Sequence, residues 1–124
     1  MKTPPFIRSL AIAIALTGGI VSTSHAHAFL DHASPAVGGT VRAPPGAVTI
    51  WFTEAVEPAF SRITVTGPAG RRIDQGKAFI GKNPEELSVK LAATAPGTYR
   101  VHWQAVSVDT HRTQGNFTFT LAPD

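Results

Sequence analysis

Apolar and polar residues alternate along most of the chain after residue 47. Val48, Ile50 and Phe52 share one face of an extended segment, and Ile63 and Val65 share another, with Arg62, Thr64 and Thr66 opposite. Leu87, Val89 and Leu91 alternate with Ser88 and Lys90. Tyr99, Val101, Trp103 and Ala105 alternate with Arg100, His102 and Gln104, and Phe117, Phe119 and Leu121 with Thr118 and Thr120. A period of two is that of a strand with one face in a core. Pro44-Pro45-Gly46, Gly67-Pro68-Ala69-Gly70 and Ala95-Pro96-Gly97 separate these runs and preset turn dihedrals. The segment from Asp74 to Glu86 is the least regular and reads as a loop with a short strand. About seven strands in under 100 residues predict an all-β fold, an Ig-like or cupredoxin-like Greek-key β-sandwich or barrel. Tyr99, just after Pro96-Gly97, fits either a tyrosine corner, whose hydroxyl ties down a loop, or a plain core aromatic.

The front of the chain follows a different pattern. Met1 to Arg8 is short and basic, Ser9 to Val21 is almost wholly apolar, and small residues follow. This is the layout of a secretory signal peptide, and the apolar run is shorter than the roughly 20 residues of a spanning helix. Residues 1–26 are therefore expected to leave and residues 27–124 to form the domain. Two cleavage sites overlap. Cutting after Ser24-His25-Ala26 gives a chain that starts at His27, and cutting after Ala26-His27-Ala28 gives one that starts at Phe29. Only the first leaves a terminal histidine.

Composition narrows the chemistry. The chain has 11 basic and 8 acidic residues, but Lys2 and Arg8 lie in the leader, so the remaining 98 residues are almost neutral. No basic patch with interleaved aromatics supports nucleic-acid binding. With no cysteine, disulfides, thiolate metal sites and thiol catalysis are excluded, and the single methionine is Met1. No Gly-x-Ser-x-Gly elbow or glycine-rich phosphate loop is present.

What remains is nitrogen and oxygen. Asp109 and His111 stand two apart at the end of a strand, where residues i and i+2 share a face. A terminal His27 would add an α-amine, with a pKa near 7.7–8.0, and an imidazole that can chelate one ion together. Three nitrogens from His27 and His111 with an Asp109 oxygen make a tetragonal set suited to Cu(II), and poorly suited to Cu(I), which prefers sulfur. Glu54, after the strand ending at Phe52, is a weak ligand or a hydrogen-bond partner of one. His102 reads as a surface residue, His32 as a loop histidine close to the terminus with a weak extra metal contact as the alternative, and His25 departs with the leader. The sequon Asn116-Phe117-Thr118 falls in an expected core strand. A copper-dependent oxidative enzyme with a terminal-histidine brace would need open coordination positions, one of which Asp109 fills. A metal-free β-sandwich interaction module is the other alternative to a carrier.

Three stretches resemble the CopC family of bacterial periplasmic copper-binding proteins. They are His27-Ala28-Phe29-Leu30 running on to Ser34-Pro35-Ala36, then Ile50-Trp51-Phe52-Thr53-Glu54, and Gly97 to Trp103 followed by Ala105-Val106-Ser107 and Asp109-Thr110-His111. The resemblance favours the cleavage that exposes His27. It implies a seven-stranded Greek-key sandwich and one Cu(II) site built from His27, Asp109, His111 and, in some members, Glu54. It also implies a periplasmic, non-enzymatic role in copper homeostasis or resistance, with a CopD-type inner-membrane transport protein as a potential partner. A monomer that is not membrane-embedded once mature is expected. The family's methionine-rich Cu(I) loop has no counterpart, since residues 67–83 hold neither methionine nor histidine. The expectation is thus a Cu(II)-only carrier.

Overall fold

The alternating segments form strands, and the side chains on their apolar faces meet in one core. The computed structural model describes residues 27–124, so the leader expected at 1–26 lies outside the described residues. The strands are β1 (Leu30–Ser34), β2 (Thr40–Val41), β3 (Ala47–Phe52), β4 (Arg62–Thr66), β5 (Asp74–Ile80), β6 (Glu86–Leu91), β7 (Gly97–Val106) and β8 (Arg112–Leu121). They build two four-stranded sheets, in the orders β1-β3-β6-β5 and β2-β8-β7-β4. All neighbours are antiparallel except β2 and β8. This is the expected all-β sandwich, with eight strands among the described residues where about seven were expected. No helix among them is long and apolar enough to cross a membrane.

Val48, Ile50 and Phe52 of β3 and Leu87 and Val89 of β6 are buried beneath one sheet. Ile63, Val65, Val101, Trp103, Phe117 and Phe119 are buried beneath the other. Tyr99 stacks on Phe119, with ring centres 5.0 Å apart, and its hydroxyl donates to the Ala95 carbonyl at 2.5 Å. A buried phenol bonded to backbone four residues upstream at the start of a strand is a tyrosine corner. At the other end of the molecule Trp103 meets Phe52 edge-on at 5.2 Å.

That other end gathers the loops. The Phe52 amide bonds to the Glu85 carbonyl at 2.9 Å, the Val56 amide to the Pro84 carbonyl at 3.1 Å and the Val108 amide to the Ala55 carbonyl at 3.2 Å. The Thr53 amide bonds to the Phe29 carbonyl at 2.8 Å. The start of the described chain, the segment after β3, the β5–β6 loop and the β7–β8 turn therefore converge on one rim.

Candidate metal site

The β7–β8 turn carries Asp109 and His111. The Ser107 amide donates to the His111 carbonyl at 2.9 Å, and the Thr110 amide donates to the Ser107 carbonyl at 2.8 Å. These two bonds close a three-residue hairpin loop, whose last position takes a left-handed conformation. Thr110 occupies it with φ 74°, the only positive φ outside glycine among the described residues. Asp109 and His111 are therefore neighbours across a tight turn and not, as the sequence suggests, along an extended strand. The outcome for the side chains is the same. His111 Nδ1 lies 3.1 Å from Asp109 Oδ2, with the imidazole 57% and the carboxylate 37% exposed.

Ser107 sits beneath this pair and is wholly buried. Its hydroxyl donates to Asp109 Oδ1 and accepts from the His111 amide at 3.3 Å. The Ser107 hydroxyl is the chief reason the Asp109 carboxyl is held below the usual carboxylate range. Partial burial opposes it, and His111 adds to the lowering. The carboxylate is thus kept ionised. With Nδ1 of His111 turned to Asp109, Nε2 is the nitrogen left to face an ion, as in carboxylate–histidine–metal arrangements.

His27 is brought to this pair by the residue after it. Ala28 is fully buried in the core, and its carbonyl accepts from Thr113 Oγ1 of β8 at 2.5 Å. Thr53 holds both flanks, since its Oγ1 accepts from the Phe29 amide at 2.9 Å and donates to the His27 carbonyl at 3.2 Å. One hydroxyl just after β3 and one on β8 thus clamp the segment. The His27 and His111 ring centres come to 4.4 Å, with planes 48° apart. Two imidazoles sharing an ion through bonds of about 2 Å have centres at most roughly 6 Å apart, so this pair lies within reach of one metal.

Glu54 is exposed and lies between Thr53, which holds the His27 segment, and Ala55, which bonds to Val108. That puts it on the same rim, and among the described residues it makes no hydrogen bond or ion pair to His27, Asp109 or His111. Among the described residues no three His, Asp or Glu side chains are grouped closely enough to hold an ion by themselves. The side chains alone leave the donor set short, and the α-nitrogen of His27 is the donor that cleavage would add.

His102 and His32 stand apart. His102 faces outward from β7, with Nδ1 2.9 Å from Asn116 Oδ1 on the paired position of β8. Asn116 itself is exposed, so only its neighbour Phe117 belongs to the core. His32 lies on strand β1 and not in a loop, because residues 32–34 pair with residues 49–51 of β3. Ala28, Thr53 and Ser107 lie inside the stretches that resemble the family, but their positioning roles, like that of Thr113, were not read from the sequence. Ser107 left a further signal, as a hydroxyl two residues before an aspartate that can close a local turn.

Residues 30–122 match the family described as the CopC domain. Protein YobA of Escherichia coli K12 is 44% identical over 121 residues, which cover 92% of this chain and 95% of YobA. The copper transport protein CutJ of Bacillus subtilis is 38% identical over 80% of this chain, but that match spans only 19% of CutJ. Among solved structures, the methionine-rich copper resistance protein PcoC of Escherichia coli superposes with a TM-score of 0.68 at 31% identity. The superposition covers 77% of this chain and 99% of PcoC.

Proposed function

The chain belongs to the CopC family, and from that premise we propose that it is a periplasmic Cu(II)-binding protein that sequesters or carries copper. Copper resistance and copper transport appear in the names of its relatives, which supports a copper-related function. The observation that carries the finer reading is the approach of the His27 and His111 rings to 4.4 Å beside an ionised Asp109. His27 supplies its ring nitrogen and, once the leader is removed, its α-amine. His111 supplies Nε2. Asp109 has two alternative roles: held on Nδ1 it orients His111 and offsets the ion's charge from across the ring, and turned away from Nδ1 it gives the ion an oxygen ligand. Glu54 stands at the rim as a weak or indirect contact.

The buried position of Ala28 supports cleavage before His27. A chain starting at Phe29 would lose a core side chain and the Thr113 bond along with the chelating terminus. Nitrogen and carboxylate donors without sulfur favour Cu(II) over Cu(I). PcoC is described as methionine-rich, whereas here the one methionine lies in the leader. The match to a fifth of a longer copper transport protein supports delivery to a membrane transporter of the CopD type. Metal binding must displace protons from the amine and imidazoles, so affinity falls in acid.

Calorimetric titration with Cu(II) tests the choice of histidine. His111→Ala should weaken binding by about tenfold or more, while His102→Ala, which removes a ring paired with Asn116 on an outer face, should leave it unchanged. Equal losses would overturn the assignment.

A further inference from the structure

Asp31 and His32 are adjacent, so on a regular strand their side chains would point to opposite faces. Strand β1 is irregular there. Leu30 pairs with Phe52 and His32 with Trp51, which leaves Asp31 as an extra residue in a bulge. Both side chains are consequently turned to solvent, His32 60% and Asp31 62% exposed, before Ala33 turns back into the core. Asp31 Oδ2 comes to 2.7 Å from His32 Nδ1. The imidazole lies flat on the Trp51 indole, with ring centres 4.4 Å and planes 5° apart.

An ionised carboxylate can only accept, so Nδ1 carries the proton and the lone pair of the neutral ring is on Nε2. No protein group among the described residues bonds to that nitrogen. Asp31 sets the tautomer, Trp51 sets the plane, and β1 is an edge strand with no further strand to cover the ring. A carboxylate on one imidazole nitrogen with the other left open is how a histidine is prepared to bind a metal. His32 follows His27 by five residues, a contour of at most about 18 Å.

We propose that His32 is a second, weaker Cu(II) ligand, binding through Nε2 and oriented by Asp31 and Trp51. It offers one side-chain donor, and water fills the remaining positions. The inference goes beyond the His27 site and does not depend on it.

The test is a Cu(II) titration past one equivalent on residues 27–124, which contain both sheets and their core, followed by native mass spectrometry and tryptophan fluorescence. A second, weaker step should appear and should quench Trp51. Trp51→Phe should remove that quenching and keep the step. His32→Ala, at an exposed position, should abolish the second step and leave the first. Asp31→Asn should weaken the second step about 10-fold. With one residue added before His27 the first step should weaken about 100-fold and the second should be retained, so the two sites fail separately. Saturation at one equivalent, or a second step that survives His32→Ala, would overturn the proposal.

Discussion

Ser107 supplies no metal donor, yet its hydroxyl touches both residues of the turn that would. It donates to the Asp109 carboxylate and accepts from the His111 amide, and it is fully buried. Ser107→Ala removes the main cause of Asp109's lowered pKa, so the carboxyl should titrate closer to its ordinary value. It should also weaken copper binding by about 10-fold through looser support of the donors. A proton NMR titration of Asp109 beside a Cu(II) titration checks both, and an unmoved Asp109 would count against the role given to Ser107. The Asp-x-His spacing was readable in the sequence, but the way the fold brings the two side chains together was not. Alternation suggested a shared strand face, whereas a left-handed Thr110 folds the two side chains together across a turn. A β-branched residue is an uncommon choice for that conformation, so propensity gives no warning of it.

At the level of elements, β4 and β5 belong to different sheets and are joined by one carboxylate. Asp74 Oδ1 accepts from the Val65 amide at 2.9 Å, and Arg72 Nη2 donates to Oδ2 at 2.6 Å. Burial pushes the Asp74 carboxyl up, but Arg72 and the Val65 amide more than offset it, and the net shift is downward. A carboxyl lowered in the fold stabilises fully above its unfolded pKa, about 3.9, and loses that contribution as pH falls through the lower folded value. Asp74→Asn should therefore cost about 1–3 kcal/mol at neutral pH. The deficit should shrink in acid below the ordinary carboxylate range, as followed by chemical denaturation at several pH values. A deficit independent of pH would contradict the latch. On β8, Gly115 pairs with Trp103, and a Cβ there would lie 2.6 Å from the indole. The Trp103 ring is fixed against Phe52, so Gly115→Ala should destabilise by about 1–3 kcal/mol, seen as a lowered Tm. Strands β3, β4, β6, β7 and β8 were legible because each carries apolar residues at every second position over part of its length, even though Ser88 in β6 and Val106 in β7 are buried as well. Strand β1 was not, because the bulge at Asp31 places two exposed residues in succession. Nor was β5 fully legible, since its register shifts between Gln75 and Phe79 and Gly76 takes a positive φ of 77°. Two-residue β2 is too short to show a period.

At the scale of the whole molecule, the candidate site is a meeting of chain segments that are far apart in sequence. His27 and His111 are 84 positions apart, and what joins them is the burial of Ala28 and the paired grip of Thr53 and Thr113. No periodicity marks an alanine as an anchor, so the apposition was suggested by metal chemistry and by family resemblance. The sandwich brings the loops of one end together, and residues 27–29 enter that end as a short segment clamped by Thr53 and Thr113. In the proposed site the α-amine of His27 would complete the donor set once His27 is the first residue, which would tie copper binding to removal of the leader. The most direct test compares residues 27–124 with the same chain carrying one glycine before His27, by Cu(II) titration and electron paramagnetic resonance. The chain starting at His27 should give a tetragonal, nitrogen-rich Cu(II) spectrum. The added glycine should change that spectrum and weaken the tight site by about 100-fold, the equivalent of about 2.7 kcal/mol. An unchanged affinity and spectrum would contradict a site built on the terminal histidine.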